Sequence, residues 1–286
     1  SLPRPGAAGC DILVEGKAVA VNPVDYKVRN STRPADGDWK VLGWDAAGIV
    51  REGGPDVTQF ELGDEVYYAG SITRPGTNAE FHLVDARIVG HKPASLSWAE
   101  AAALPLTTLT AWEAMFDRLD VAKPVPGAAE AILIIGGAGG VGSIAVQIAR
   151  QRTDLTVIAT ASRPETQEWV RGLGAHHVID HSRPLAPQIA ELGIGAPAFV
   201  FSTTHTEQHV ADIAELIAPQ GRFGLIDDPK AFDIMVFKRK AVSIHHELMF
   251  TRSIYGTPDM NERGEILASI AALVEDGQIR PTLNQR

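Results

Sequence analysis

The 286-residue chain is 45% hydrophobic and 21% charged, an ordinary globular composition, and it exceeds what one hydrophobic core usually serves, so two domains are expected. Its net charge of −9 disfavours non-specific nucleic-acid binding and adsorption to anionic membranes. Cys10 is the sole cysteine, which excludes an intrachain disulfide and a thiolate zinc cluster and fits a reducing cytoplasm.

The chain up to Leu96 reads as β-rich. Strands are expected over residues 12–21, 46–51, 65–68, 80–84 and 87–89, separated by turns such as Gly53-Gly54-Pro55-Asp56 and Arg74-Pro75-Gly76. From Leu96 the texture changes. Ser97 suits an N-cap for a short helix over 98–104, and a longer helix is expected over 107–118. Residues 123–127 read as a linker-like turn. Strand candidates then recur near residues 131, 155, 176, 197, 221 and 242 with helices between them, the alternation of a doubly wound parallel sheet. Helices over 207–217 and 262–275 carry apolar residues in phase. No run approaches the roughly 18 apolar residues of a membrane span, and residues 1–9 lack the apolar core of a signal peptide.

The most informative stretch is Ala131-Ile132-Leu133-Ile134-Ile135-Gly136-Gly137-Ala138-Gly139-Gly140-Val141-Gly142. An apolar strand feeds a glycine turn that opens a helix over 141–150. Gly137, Gly139 and Gly142 fit G-x-G-x-x-G, the turn that brings a pyrophosphate to a helix N-terminus. A second strand follows over 155–159. An acidic residue at its end would hold the ribose hydroxyls of NAD, but the chain reads Thr160-Ala161-Ser162-Arg163-Pro164. A hydroxyl and a guanidinium suit a 2′-phosphate, so NADPH is expected. Ser162 equally suits an N-cap for the helix opening near Pro164. A methyltransferase shares such a glycine turn but would want that missing acid.

Further motifs follow in order: Asn22-Pro23-Val24-Asp25, Leu42-Gly43-Trp44-Asp45-Ala46-Ala47-Gly48, Gly63-Asp64-Glu65-Val66, Asn78-Ala79-Glu80-Phe81 and Ala101-Ala102-Ala103-Leu104-Pro105. With the glycine turn they resemble the medium-chain dehydrogenase/reductase superfamily, in its quinone oxidoreductase branch, nearest the zinc-type alcohol dehydrogenase-like subgroup. The resemblance implies an α/β fold: a Rossmann doubly wound parallel sheet plus a GroES-like β-rich domain, with the active site in the cleft between them. The expected bounds are 1–104 for the GroES-like domain, 105–251 for the Rossmann domain and 252–286 for a return segment. It also implies that a further strand and helix of the first domain follow Arg286.

The resemblance places Asn22, Trp44 and Leu106 where zinc-dependent members carry catalytic ligands, and Trp and Leu supply no ligand atom. No zinc is therefore expected. His176-His177 and His245-His246 are adjacent pairs whose side chains would point to opposite faces of a strand, so they read as surface or edge histidines. Without a Lewis acid, the expected reaction is NADPH-dependent hydride transfer to a quinone or activated enone. The resemblance assigns Asn22 and Thr110 to the nicotinamide, and Gly139, Gly140 and Val141 to the pyrophosphate. It assigns Ser162, Arg163 and His181 to the 2′-phosphate, and Thr203, Thr204, Ile226 and Asp227 to loops facing the nicotinamide ribose and carboxamide. Thr203 and Thr204 suit helix capping before Glu207 equally well. Asp25 is expected to cap a local turn, and Tyr26 is the one proton donor named. Lys238-Arg239-Lys240 reads as a solvated turn before an edge strand over 242–249, through which the resemblance implies a homodimer. Rival readings are a non-catalytic NADPH-binding protein, a reductase of acyl thioesters, and a zinc-type alcohol dehydrogenase or aldehyde reductase of the same superfamily.

Overall fold

The computed structural model describes residues 2–283. The chain divides into two compact units, Ser1–Leu109 with Met249–Arg286, and Thr110–Leu248.

The first unit is built on an antiparallel sheet of β1 (Asp11–Ala20), β2 (Asp45–Gly53), β3 (Glu65–Ala69), β4 (Phe81–Asp85) and β5 (Val89–His91), in the order β4-β1-β2-β3-β5. Its core gathers alternate strand residues, among them Ile12, Val14, Ala46, Val50, Val66, Tyr68 and Val84. Helix α1 (Pro23–Ser31) follows β1, and α2 (Trp98–Ala102) opens at Ser97, whose hydroxyl accepts from Glu100 N. The strand expected over 87–89 is instead a 3-10 turn, Ala86–Ile88, leading into β5, because the Asp85 side chain accepts from Arg87 N and starts a turn. The helix expected over 107–118 is α3 (Pro105–Trp112) followed by a π-helical turn, Glu113–Arg118.

After the second unit, which holds α4 to α7, the chain returns through α8 (Thr251–Tyr255) and α9 (Glu262–Glu275). Helix α9 buries Ile266, Leu267, Ile270, Leu273 and Val274. It lies so close to β5 that a Cβ on Gly90 would stand 2.7 Å from Leu267 Cβ. Tyr67 Oη, on β3, donates to Leu267 O at 2.6 Å. The last helix is thus part of the first unit's packing.

The second unit is a parallel sheet of β6 (Ala129–Ile135), β7 (Thr156–Thr160), β8 (His177–Ile179), β9 (Pro197–Ser202), β10 (Arg222–Leu225) and β11 (Ser243–His246), in the order β11-β10-β9-β6-β7-β8. Helices α4 (Gly140–Arg152), α5 (Pro164–Gly172), α6 (Leu185–Glu191) and α7 (Thr206–Leu216) connect the strands. Both faces are covered, which is why β9 is buried at every position and β6 from Ala131 onward. The chain runs outward through β7 and β8 on one side of β6 and through β9, β10 and β11 on the other. The reversal between β6 and β9 opens a crevice at the strands' C-terminal ends, where open α/β sheets hold ligands.

Two expectations at the β11 edge are corrected. Lys238 and Arg239 of Lys238-Arg239-Lys240 are exposed as expected, but the cluster ends a 3-10 helix, Ile234–Lys240, and Lys240 Nζ donates to Glu215 O and Ile217 O, capping the end of α7. The strand expected over 242–249 is confined to Ser243–His246. Among the described residues no helix is long and apolar enough to cross a membrane.

Candidate functional site

The glycine turn between β6 and α4 is sterically closed to other residues. Gly136 takes φ +80°, and a Cβ on Gly137 would stand 2.8 Å from Ala159 Cβ. A Cβ on Gly142 would lie 2.1 Å from Gly136 O. Gly139 is the N-cap of α4 and donates its own N–H to Gly136 O at 2.9 Å. Gly140, Val141 and Gly142 follow as the first helical residues, whose N–H groups have no intrahelical acceptor. A bare backbone, free donors and a helix N-terminus are the requirements of a pyrophosphate cradle, and these residues fit them.

The end of β7 braces that turn. Gly136 N donates to Thr160 Oγ1 at 2.9 Å, and Gly137 N donates to Thr160 O at 3.1 Å. His181 Nδ1 lies 3.2 Å from the same hydroxyl. Thr160 Oγ1 thus accepts from Gly136 N and holds the Nδ1 side of the His181 ring beside the turn. The N-cap of α5 is Arg163, whose N–H donates to Thr166 Oγ1 at 3.3 Å. Ser162 therefore does not cap this helix. It is half-buried beside the exposed Arg163, and no carboxylate interrupts residues 160–164.

The loops after β9 and β10 depart from the capping expected of Thr203 and Thr204. Thr203 turns back onto β6, donating both N–H and Oγ1 to Ile135 O. Thr204 Oγ1 pairs with His205 Nδ1 at 2.7 Å. The acceptor at the start of α7 is Asp227, which takes Thr206 N at 2.9 Å and the Thr206 hydroxyl. Asp227 thus closes a helix N-terminus, while Ile226, half-buried, precedes it in the same loop after β10. Beside the glycine turn these loops leave a recess lined by Gly136, His181, Thr204, His205, Gln208 and His209. His205 and His209 carry no motif. They meet His181 there only through the sheet's register, so nothing local in the sequence flags them. Thr110 lies buried in the last turn of α3.

In the first unit, Asn22, Asp25, Trp44, Asp45 and Leu106 form a second cluster. Asn22 Nδ2 and Leu106 N each donate to the Asp45 carboxylate at 2.8 Å. Asn22 N donates to Asp25 Oδ2 at 2.7 Å, so Asp25 closes the first turn of α1. Asp45 is fully buried, and burial pushes its carboxyl up to about 8 against those two donors, with the charge of Asp25 adding to the rise. Burial also raises Asp25. Asp45 escaped the sequence reading; its signal was a lone acid inside an apolar run. Tyr26, on α1, is 57% exposed.

The pattern of an alcohol dehydrogenase GroES-like domain matches residues 8–112, and that of a zinc-binding dehydrogenase matches residues 140–269. A "Zinc-type alcohol dehydrogenase-like protein SAS2087" of Staphylococcus aureus (strain MSSA476) is 42% identical over 290 residues, covering 99% of this chain and 84% of the relative. A crystal structure from Rhizobium etli CFN 42, named a "putative zinc-dependent alcohol dehydrogenase protein", superposes with a TM-score of 0.98 at 76% identity, covering 99% of this chain and 83% of that one. The chain belongs to the medium-chain dehydrogenase/reductase superfamily. Within it, the quinone oxidoreductase-like branch is its place: a quinone oxidoreductase from Coxiella burnetii superposes with a TM-score of 0.77 at 27% identity, covering 98% of this chain and 83% of that one.

This medium-chain dehydrogenase/reductase is accordingly an oxidoreductase. The zinc in its relatives' names can be tested against the donor set. Trp44 is fully buried and donates Nε1–H to Ser71 O at 3.0 Å. Leu106 offers an apolar side chain, and the Asn22 amide is bonded to Asp45. Trp, Leu and a carboxylate-bound amide do not fit a site that needs three or four N, S or O ligands. Among the described residues no group of three or more His, Cys, Asp or Glu is placed to hold a metal.

Proposed function

We propose that this chain is an NADPH-dependent, zinc-independent reductase that passes hydride to a quinone or an activated enone. The observation that carries the reading is the β6–α4 turn, where a Cβ on Gly142 would collide with Gly136 O and leave no room for anything but a bare backbone. Support for the phosphorylated cofactor comes from Ser162 and Arg163 at the end of β7, where a guanidinium stands in place of an acid. Support for metal-free chemistry comes from the donor set at Asn22, Trp44 and Leu106.

When bound, the dinucleotide supplies the hydride. The protein supplies position. The N–H groups of Gly140 and Val141 at the opening of α4 would bind pyrophosphate oxygens, with Gly139 shaping the turn. Ser162 and Arg163 would bind the 2′-phosphate through a hydroxyl and a forked cation. The Asn22 amide, fixed by Asp45, would hold its orientation without a conformational search. Thr110 and Ile226 would contribute walls that exclude water. A quinone takes hydride and one proton to become a hydroquinone. Tyr26 is exposed enough to be that proton's donor, and water serves equally for an anion so delocalised.

The test is paired oxidation of NADPH and NADH with 9,10-phenanthrenequinone, with metal content read on the same sample. Turnover favouring NADPH in zinc-free protein is the expected result. Tight NADPH binding with no turnover on quinones or enones would move the chain to a binding role, and turnover that tracks bound zinc would overturn the metal-free reading.

A further inference from the structure

We propose that His205 and His209 join His181 in a three-histidine subsite that reads the ribose phosphate of the dinucleotide and takes up a proton when that phosphate binds. The inference deepens the NADPH reading above and rests on it. The three side chains line one recess beside Gly136, although they come from the loop after β8 and from the start of α7. His205 precedes α7 with φ +52° and ψ +33°, a left-handed conformation that costs a residue with a side chain about 1 kcal/mol or more. Such strain persists where the position of a side chain matters. His209 follows four residues later, one turn along the same helix face, and is 7% exposed.

The chemistry suits a phosphate monoester. A neutral imidazole donates one hydrogen bond and an imidazolium two. The Thr160 hydroxyl already holds the Nδ1 side of His181, leaving Nε2 on the other side of the ring. Burial keeps His209 below its ordinary value, reinforced by the charges of His181 and His205, with Asp212 of α7 acting the other way. On the loop of His181 itself, hydrogen bonds from Ser182 hold Asp180 below its ordinary value, with the charges of His181 and Arg183 adding to that. Asp227 is committed to Thr206 at the head of α7. A dianion placed among these rings would favour their protonated form. Binding of the phosphate would then draw a proton onto the imidazoles. The 2′-phosphate, whose own second proton leaves near pH 6, is already a dianion above that pH and cannot supply that uptake.

Calorimetric titration of the full chain with NADPH and with NADH tests this, at about pH 6.5 and 8 and in two buffers of different ionisation enthalpy. NADPH is expected to bind with uptake of up to about one proton, and to tighten by up to about tenfold per pH unit as pH falls. NADH is expected to show neither effect. The double variant His205→Gln, His209→Gln is expected to lose the uptake and to cut the NADPH-over-NADH affinity ratio by about fivefold or more. His205→Gln alone replaces an exposed ring, so it carries the test if thermal melting shows the buried His209 variant unfolded. No proton uptake in the parent chain, or uptake unchanged in His205→Gln and the double variant, would overturn the proposal. NADH binding as tightly as NADPH at both pH values would instead overturn the cofactor reading beneath it.

Discussion

Gly142 and Arg163 show how much a single position can decide. An alanine at Gly142 must displace the carbonyl of Gly136, so Gly142→Ala is expected to lower stability by about 1–3 kcal/mol and to abolish dinucleotide binding. Thermal melting with a fluorescence titration separates the two effects; an unaltered affinity would contradict the cradle. Arg163 is exposed, so Arg163→Ala should fold normally. Losing a charge-assisted bond of about 1.5–3 kcal/mol would weaken NADPH by roughly ten- to hundredfold while sparing NADH. Equal losses for both dinucleotides would remove the 2′-phosphate from this end of β7. The glycines and the missing acid were legible because the turn is local: strand, turn and helix are contiguous in the chain. The bond of Asp227 to Thr206 and the place of His205 were missed because their partners arise from strand adjacency. β10 lies beside β9, and that neighbourhood delivers the Asp227 carboxylate to Thr206.

The π-helical turn Glu113–Arg118 has its own chemistry. Buried Glu113 bonds to Glu247, just past β11, and Arg118 Nε donates to Glu247 Oε2 at 2.8 Å. Burial first, and then the charge of Glu113, push Glu247 up to about 8 from 4.5, with Arg118 acting against them. A carboxyl raised in the folded state keeps its proton there while the unfolded chain has lost it. Its stabilisation is therefore fully present below about 4.5 and is lost as pH rises towards 8. The unfolding free energy read from urea titrations is expected to fall across that window, by up to about 1.4 kcal/mol per pH unit from this group. Glu247→Gln should flatten that part of the slope; an unchanged slope would show that the pair does not share a proton. Periodicity placed the long helix Glu262–Glu275 at its observed bounds. It could not see the π turn, because the widened step changes the backbone pattern and leaves the residue types helical. Nor could it pair Glu113 with an acid so far along the chain.

At the scale of the whole molecule, β11 is an edge strand whose outer side pairs with no other strand among the described residues. Ile234, Met235, Val236 and Leu248 belong to the same unit and are 59%, 58%, 44% and 52% exposed. We propose that a second copy covers this edge, since open edges with apolar neighbours favour pairing. Sedimentation equilibrium should then give twice the 30.6 kDa chain mass, with Met235→Lys, Val236→Lys shifting it towards one; a single-chain mass for the parent protein would refute the pairing. The alternation of strands and helices made the parallel sheet legible before its geometry was known. The partition at residues 109/110 and 248/249, against expected bounds at 104/105 and 251/252, was not, since the first change falls inside α3. The hydrogen bond from Tyr67 to Leu267 carries a consequence for synthesis. Domains usually fold in the order in which they leave the ribosome. Here the unit that begins first cannot close β5 until α9 has been translated, whereas Thr110–Leu248 is complete earlier. A nascent chain arrested after Leu248 should therefore protect its middle from protease and leave its beginning open to cleavage, an inversion of the usual vectorial order.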